Sequence, residues 1–125
     1  MAFWIFCTAM TLLVPLVMLI FGRVFLIRPP RDINGVYGYR TRRSMRNQET
    51  WAFAHRICGR LWFRLGLAML PLSLCAMLSV LGRGEDAVGI CCGVIEVAQL
   101  AVLIGSIFPV ERALKRNFDD SGRKK

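Results

Sequence analysis

Long apolar blocks separated by arginine-rich segments dominate the pattern along the chain. Three blocks carry one charge or none, at residues 1–22, 65–82 and 87–110. At about 1.5 Å of rise per residue, helices of this length reach roughly 27–36 Å, close to the hydrocarbon thickness of about 30 Å. The pattern therefore predicts an all-α integral membrane protein with three transmembrane helices, at about residues 2–22, 61–82 and 87–110.

The first apolar block differs from a secretory signal peptide. No basic residue precedes it, it is longer than a signal-peptide core, and its first positive charge is Arg23 at its far end. We therefore expect a retained helix.

Composition agrees with a membrane protein. The 125 residues are 55% hydrophobic and 20% charged, with a net charge of +9, and the mean hydropathy is +0.48. A soluble domain of this size needs more polar residues to cover its surface. These values argue against a soluble enzyme, a secreted disulfide scaffold and a free nucleic-acid binder, and they fit a single membrane domain.

The charges predict the orientation of the helices. Residues 23–64 hold ten arginines and two acids, residues 111–125 hold six basic residues and three acids, and residues 83–86 hold one base and two acids. By the positive-inside rule, the motif loop at about residues 28–56 and the basic tail at 111–125 are cytoplasmic, while the N-terminus and the short turn face outward.

The five cysteines do not form a metal-ligand pattern with each other or with the lone His55. Four of them lie in apolar segments, where a thiol packs as a small hydrophobe. We expect reduced thiols and no cofactor, and one disulfide between Cys7 and either Cys91 or Cys92 stays open.

The loop after the first helix contains turn and cap signals. Pro29 and Pro30 end the helix, since neither donates a backbone hydrogen bond, and Asn34-Gly35 favours a tight turn. From Ser44 onward the pattern is helical and amphipathic, with Ser44 or Asn47 as the N-cap. The apolar stripe of this helix is Trp51, His55, Cys58 and Trp62, and the opposite stripe is Arg56, Arg60 and Arg64.

The region from the turn into the amphipathic helix carries a specific order and spacing of residues, and two apolar helices follow it. The pattern is Asn34, Tyr37, Gly38, Tyr39, Arg40, Thr41, Ser44, Asn47, Trp51, His55 and Gly59, with Glu49 inside it. This pattern resembles the SdpI family of small bacterial membrane proteins. The resemblance covers roughly residues 20–110. It implies a multi-pass protein of the bacterial inner membrane, and its namesake is similar to an immunity protein that protects its producer from a secreted, membrane-active peptide toxin and takes part in signalling. This chain is much shorter than that namesake.

The arginines and aromatic residues of the loop have two readings. As a set they match anionic headgroups of the inner leaflet, because guanidinium groups bind phosphate and aromatic rings settle at the interface. Arg40 lies inside the pattern, and we expect it to form a fixed ion pair or anion site. Its candidate partners are Glu49, Asp32 and Glu96.

His55 and Glu96 carry the remaining candidate chemistry. His55 is either a structural hydrogen bonder or a proton-transfer group, although no catalytic spacing accompanies it. Glu96 lies near the middle of the third apolar block, with Gln99 one turn beyond, where a charge is costly. It is either a proton- or cation-linked site or a carboxyl paired with Gln99, a hydroxyl or an arginine of the motif.

Small residues recur along the third helix and predict close packing within the chain or in a homo-oligomer. They are Gly89, Gly93, Ala101 and Gly105.

Two hypotheses of function remain open. One is an immunity- or receptor-type protein that binds a hydrophobic peptide toxin or a partner membrane helix. The other is a membrane-embedded enzyme or transporter with a polar cavity around Arg40, His55 and Glu96. Convergence of these three side chains on one cavity would favour the second.

Overall fold

The computed structural model describes residues 1–125, and all of its regular elements are α-helices. Its helices are α1 (Ala2–Ile27), α2 (Gln48–Leu78), α3 (Glu85–Gly105) and α4 (Ile107–Asn117). Three segments are long and apolar enough to cross a membrane, namely α1, α2 and the run from Glu85 to Asn117. The predicted fold class is therefore confirmed, whereas the limits of the spans in the bilayer stay predictions.

Helix α2 is longer than its predicted membrane segment. It begins at Gln48 and runs without interruption to Leu78, so the amphipathic entry and the apolar span form one helix. Residues 79–82, expected at the end of the span, form a turn instead. Asn47 is the N-cap: its side chain accepts a hydrogen bond from the Thr50 backbone N–H, and the Thr50 hydroxyl accepts one from the Asn47 N–H.

Helices α1 and α2 pack antiparallel with their backbones in contact at three glycines. A Cβ atom at Gly22 would lie 2.5 Å from the Phe63 nitrogen, and one at Gly66 would lie 2.8 Å from the Pro15 carbonyl oxygen. At Gly59, the last residue of the predicted motif, a Cβ would lie 2.9 Å from the Gly22 carbonyl oxygen. Because glycine has no side chain, the two helices can approach this closely, and a larger residue at any of the three positions would clash.

Two buried apolar clusters lie at opposite ends of the bundle. The smaller one joins Cys7, Met77 and Val88 near the α2–α3 turn. The larger one joins α1, α2, α4 and the loop, and consists of Phe25, Tyr39, Ala54, Cys58, Val110, Leu114 and Phe118.

The C-terminal segment is folded against the rest of the chain. Helix α4 buries Val110 and Leu114 and places its basic residues outward. After Phe118 the chain reverses, and Phe118 pairs with Lys124 in an isolated antiparallel bridge. The region that the sequence described only as a basic tail is thus a helix and a docked turn.

The small-residue stripe of α3 does not pack within the chain. A Cβ at Gly93 or Gly105 would have no neighbour within 4 Å, and one at Gly89 would only touch the Phe3 ring at 3.7 Å. Ala101 is exposed. The intrachain alternative is therefore wrong, and association between copies stays a prediction.

All five cysteines are free thiols. The Cys92 sulfur lies 3.8 Å from the Cys7 carbonyl oxygen, within a weak S–H contact. The disulfide that the sequence left open is not formed.

Candidate functional site

The predicted motif loop is shorter in the structure, because α2 begins at Gln48, and the name is kept below for residues 28–47. The loop contains a turn organised by Asn34. Its side-chain oxygen accepts hydrogen bonds from the backbone N–H groups of Val36 at 3.0 Å and Tyr37 at 2.7 Å. Its amide nitrogen donates to the Asp32 carbonyl at 3.0 Å. An Asn side chain that mimics backbone in this way fixes a turn locally, so Asn34 shapes the loop before the buried residues that follow.

Gly38 brings the loop backbone against helix α2. Its φ of +115° is a conformation that side-chain-bearing residues rarely adopt. A Cβ there would lie 2.6 Å from the His55 ring nitrogen Nε2 and 3.2 Å from the Trp51 ring. The position therefore requires glycine for two separate reasons, conformation and space.

His55 is fully buried and binds backbone on both sides of its ring. Its Nε2 accepts the Tyr39 N–H at 2.9 Å, and its Nδ1 lies 2.8 Å from the Trp51 carbonyl oxygen. Because a backbone N–H only donates, Nε2 must hold a lone pair, so the hydrogen sits on Nδ1 and donates to Trp51. The imidazole is neutral, and both of its nitrogens are engaged in holding the loop.

Aromatic rings enclose this imidazole. The Phe25 ring packs edge-on at 4.9 Å between centroids, and the Trp51 ring lies at 4.3 Å. Trp51 also donates from its indole N–H to the Pro30 carbonyl at 2.7 Å, and the exposed Tyr37 ring packs against Phe25 at 6.1 Å. The end of α1, the loop and the start of α2 are thereby joined in one packed unit.

Hydroxyl groups close the second half of the loop. The Ser44 hydroxyl donates to the Tyr39 carbonyl at 2.9 Å and accepts the Thr41 N–H at 2.8 Å. The Thr50 hydroxyl donates to the Ser44 carbonyl at 3.1 Å. Ser44 is thus not the helix cap but the centre of the turn that precedes it, and Asn47 is the cap.

The C-terminal segment completes the site through Tyr39. The Tyr39 hydroxyl donates to Glu111 Oε1 at 2.8 Å. Burial, together with this hydrogen bond and the charge of Glu111, raises the pKa of Tyr39, so the phenol stays protonated and keeps donating. The contact joins residues 72 positions apart in the sequence, and the sequence pattern gave no signal for it.

Further contacts attach the tail to the loop. Arg43 lies 3.9 Å from Glu111 and 3.4 Å from Asp120. Arg46 donates to the Asp120 carbonyl at 2.8 Å, and the Asn47 amide donates to the Gly122 carbonyl at 2.7 Å. The loop and the tail therefore form a single polar and aromatic assembly.

The ion pair expected of Arg40 is not formed, and an anion site at Arg40 stays a prediction. Its exposed guanidinium donates to the Gly35 carbonyl within the loop and makes no ion pair with Glu49, Asp32 or Glu96. The arginine that pairs with carboxylates is Arg43, because α4 brings Glu111 to it. Glu49 is exposed in the first turn of α2, where its negative charge interacts favourably with the positive end of the helix dipole.

A polar cavity of about 430 Å³ lies between the loop and the tail. Its charged lining residues are Arg42, Arg43, Arg46, Glu111, Asp119 and Asp120. Since three guanidinium groups face three carboxylates, the cavity is close to charge-neutral and gives little preference to an anion.

Glu96 and Gln99 lie elsewhere, between α3 and the other two spans. The Gln99 amide nitrogen donates to the Thr11 carbonyl at 2.6 Å and the Ser73 hydroxyl at 2.8 Å. The Glu96 Oε1 atom is buried without a hydrogen-bond partner. No hydrogen bond joins Glu96 to Gln99, to a hydroxyl or to an arginine in this structure, since the Gln99 amide nitrogen binds the neighbouring helices.

Arg40, His55 and Glu96 do not share a cavity. Ser73, which binds Gln99, follows His55 by 18 residues along α2, a rise of roughly 27 Å. Glu96 is one turn from Gln99, so it lies far from His55, while Arg40 is on the exposed loop. The polar cavity on which the enzyme or transporter hypothesis depended is not formed by these residues.

A model of the SdpI/YfhL protein family matches residues 31–110, more than half of the chain. The chain belongs to the SdpI/YfhL protein family. A relative in Bacillus subtilis (strain 168), "Uncharacterized protein YfhL", is 44% identical over 57 residues. That match covers 46% of this chain and 52% of the relative, so the chain spans about half of the relative's length. No solved structure matches the chain.

The SdpI/YfhL match and the three candidate spans identify a multi-pass membrane protein. The matched residues include every loop residue of the motif as well as Glu96 and Gln99. Glu111 and the docked tail lie just outside the matched residues, so the contacts that they make with the loop involve residues that the family model does not match.

Proposed function

We propose that this SdpI/YfhL protein is a non-enzymatic membrane protein of the immunity or receptor type, which acts against or senses a membrane-active peptide. The three spans bind the hydrophobic peptide or a partner helix in the bilayer. The motif loop and the tail stabilise the ends of those spans and transmit their state.

The observation that carries this proposal is how the motif side chains are used. His55, Ser44 and Trp51 each bind backbone groups of the loop or of its flanks, and Tyr39 links the loop to α4. Side chains bound in this way hold segments of the chain together, as expected of a binding or sensing protein. The family name agrees with this class of function.

We infer that the loop and the tail are on the cytoplasmic side of the bacterial inner membrane. The excess of arginine and lysine in both segments supports this orientation. Their direct contact, through Asn47 and Gly122 at 2.7 Å, also requires that they lie on the same side. Two of the three candidate spans follow the loop, so the chain crosses the bilayer twice after it and the tail returns to the same side.

The exposed arginines of α2 fit anionic lipid headgroups of the inner leaflet. Arg56, Arg60 and Arg64 are exposed along one face of α2, and none of them is in an ion pair. Arg43 is already paired with Glu111. The lipid headgroups therefore bind the exposed arginines of α2 and not the arginines of the cavity between loop and tail.

A protection assay tests the proposal. The full chain is expressed in a bacterial host that is then exposed to a panel of synthetic membrane-active peptides, while survival and membrane potential are recorded. The variant Gly38→Ala disturbs the loop, and Gly35→Ala is the matched control because a Cβ there meets nothing within 4 Å.

We expect wild type and Gly35→Ala to preserve the membrane potential against at least one peptide, and Gly38→Ala to lose that protection when compared at equal protein level in the membrane. If cells with a normal level of the wild-type chain respond to every peptide like cells without it, the immunity role is wrong.

A further inference from the structure

A second polar cluster lies inside the bundle, remote from the motif. One face of α3 carries Cys92, Glu96 and Gln99 at helical spacing. Cys92 lies against the Cys7 carbonyl of α1 at 3.8 Å, and Gln99 binds the Thr11 carbonyl of the same helix at 2.6 Å. Glu96 is half-buried and lies between these two residues along α3. We infer from this placement that its buried Oε1 atom lies beside α1, near Thr8.

Three oxygen atoms of this cluster are buried without a hydrogen-bond partner: Thr8 Oγ1, Glu96 Oε1 and Gln99 Oε1. Thr8 and Gln99 are more than nine-tenths buried, at 8% and 3% exposure. Buried polar atoms in proteins are almost always satisfied. Three such oxygens in one cluster therefore indicate that a hydrogen-bonding component is missing from it.

The orientation of Gln99 defines what that component must supply. Its nitrogen donates to the Thr11 carbonyl, which only accepts, and to the Ser73 hydroxyl at 2.8 Å. This fixes Oε1 as the free end of the amide, and an amide oxygen only accepts. The cluster thus lacks a donor.

The charge of the surroundings leads to the same requirement. The titratable groups around Cys92 and Glu96 are the thiols of Cys7 and Cys91, and the side chain of α2 that binds this part of α3 is the uncharged Ser73. The nearest arginine along α2, Arg64, precedes Ser73 by nine residues, about 13 Å of helix rise. An ionised Glu96 would have no counter-charge in the apolar interior.

We propose that Glu96, Thr8 and Gln99 form an intramembrane proton-binding site, occupied by one proton on the Glu96 carboxyl. The carboxylate takes up the proton and becomes a carboxylic acid. Its O–H donates to Gln99 Oε1, and the Thr8 hydroxyl donates to its C=O. One added proton thereby gives all three orphan oxygens a partner and removes the buried charge.

Labelling with dicyclohexylcarbodiimide tests this site. This apolar reagent adds to a protonated carboxyl in an apolar environment and leaves an N-acylurea on the side chain. The purified full chain in liposomes is treated at a series of pH values, and the adduct is located by mass spectrometry. Glu96→Gln is the control, because the amide keeps the shape of the side chain and does not react.

We expect one adduct, on Glu96, at neutral pH, with a yield that falls about tenfold per pH unit once the pH is high enough to ionise the carboxyl. The infrared spectrum of the wild-type chain should show the carbonyl stretch of a protonated carboxylic acid at neutral pH, a reading that does not depend on how the variant folds.

Two outcomes would overturn the proposal. One is a wild-type chain without the adduct and without the carboxylic-acid band at neutral pH. The other is protection of Glu96 by sodium chloride but not by choline chloride at the same pH, which would assign the site to a metal cation in place of a proton.

Discussion

At the scale of single residues, His55 is the side chain on which the geometry of the loop depends most. Its neutral ring accepts the Tyr39 N–H and donates to the Trp51 carbonyl, and Gly38 lets the backbone come close enough for the first bond. The sequence left open whether His55 transfers protons or supports structure. The contacts favour the structural role, because both ring nitrogens are occupied by backbone groups.

Gly38→Ala should destabilise the protein by about 1–3 kcal/mol, because φ is positive there and the new methyl group would meet His55. Thermal unfolding in detergent measures the effect. Gly35→Ala is the control and should unfold within error of wild type. Equal stability of both variants would mean that the loop does not pack on α2 as described.

Tyr39→Phe should lower the free energy of unfolding by about 1–3 kcal/mol, because it removes the donor to the Glu111 carboxylate. Tyr37→Phe is a matched control, since the Tyr37 ring is exposed and its hydroxyl makes no hydrogen bond with the chain. Denaturant or thermal melts of the two variants give the comparison. A larger loss for Tyr37→Phe would contradict the proposed link between loop and α4.

Local signals along the sequence predicted the local features of this site. The Asn34 turn and the choice of Ser44 or Asn47 as the cap each follow from residues a few positions apart, and Asn47 is the observed cap. The ion pair expected of Arg40 is absent, and Glu111 was missed, for the same reason: an ion pair depends on which distant segment folds back, and Glu111 reaches Tyr39 only through α4.

At the scale of the helices, glycines determine how α1 and α2 fit together. Gly22, Gly59 and Gly66 place the two backbones in contact, whereas Gly93 and Gly105 of α3 face no neighbour in the chain. The sequence drew attention to the α3 stripe because its spacing is regular. Spacing does not reveal which face a neighbour covers, so Gly22 and Gly66 were not singled out.

Gly66→Ala should cost about 1–3 kcal/mol by overpacking, since its methyl group would lie 2.8 Å from the Pro15 carbonyl oxygen. Gly93→Ala, with no neighbour within 4 Å, should be neutral or slightly stabilising through helix propensity. Thermal unfolding of the monomer in detergent tests the pair. The opposite order of stability would show that α3, and not α1, packs on α2.

The tail turn after α4 should open in acid. Asp119 Oδ1 accepts hydrogen bonds from the Ser121 hydroxyl and from the N–H groups of Ser121 and Arg123. These bonds, that of the Ser121 side chain first, lower the pKa of Asp119 from its ordinary value of 3.8. A lowered folded-state pKa means that the stabilisation is complete above that ordinary value and is lost as the pH falls through the lowered one.

Hydrogen-exchange protection of the Ser121 and Arg123 amides measures this opening. Protection should fall in strong acid and be lost at all pH values in Asp119→Ala. Asp120→Asn should keep it, because Asp120 Oδ1 contacts only Arg43. Protection that survives in Asp119→Ala would contradict the role given to this carboxylate.

At the scale of the whole molecule, the two ends of the helical bundle differ in size and structure. One end holds the loop, α4 and the tail, joined by Tyr39 and Arg43 to Glu111. The other end is the short turn at residues 79–84. Hydropathy predicted three spans because bilayer thickness sets their length. It did not predict the docked tail, since that contact depends on tertiary packing of Leu114 and Phe118.

The orientation of these two ends in the bilayer is the central claim, and cysteine labelling tests it most directly. Single cysteines at Gly84→Cys and Gly35→Cys, in a chain without its native cysteines, both lie where a side chain meets nothing within 4 Å. In intact cells, a membrane-impermeant maleimide should label Gly84→Cys at once and Gly35→Cys only after permeabilisation. Labelling of Gly35→Cys in intact cells, or of both positions from the same side, would contradict three spans with the motif loop in the cytoplasm.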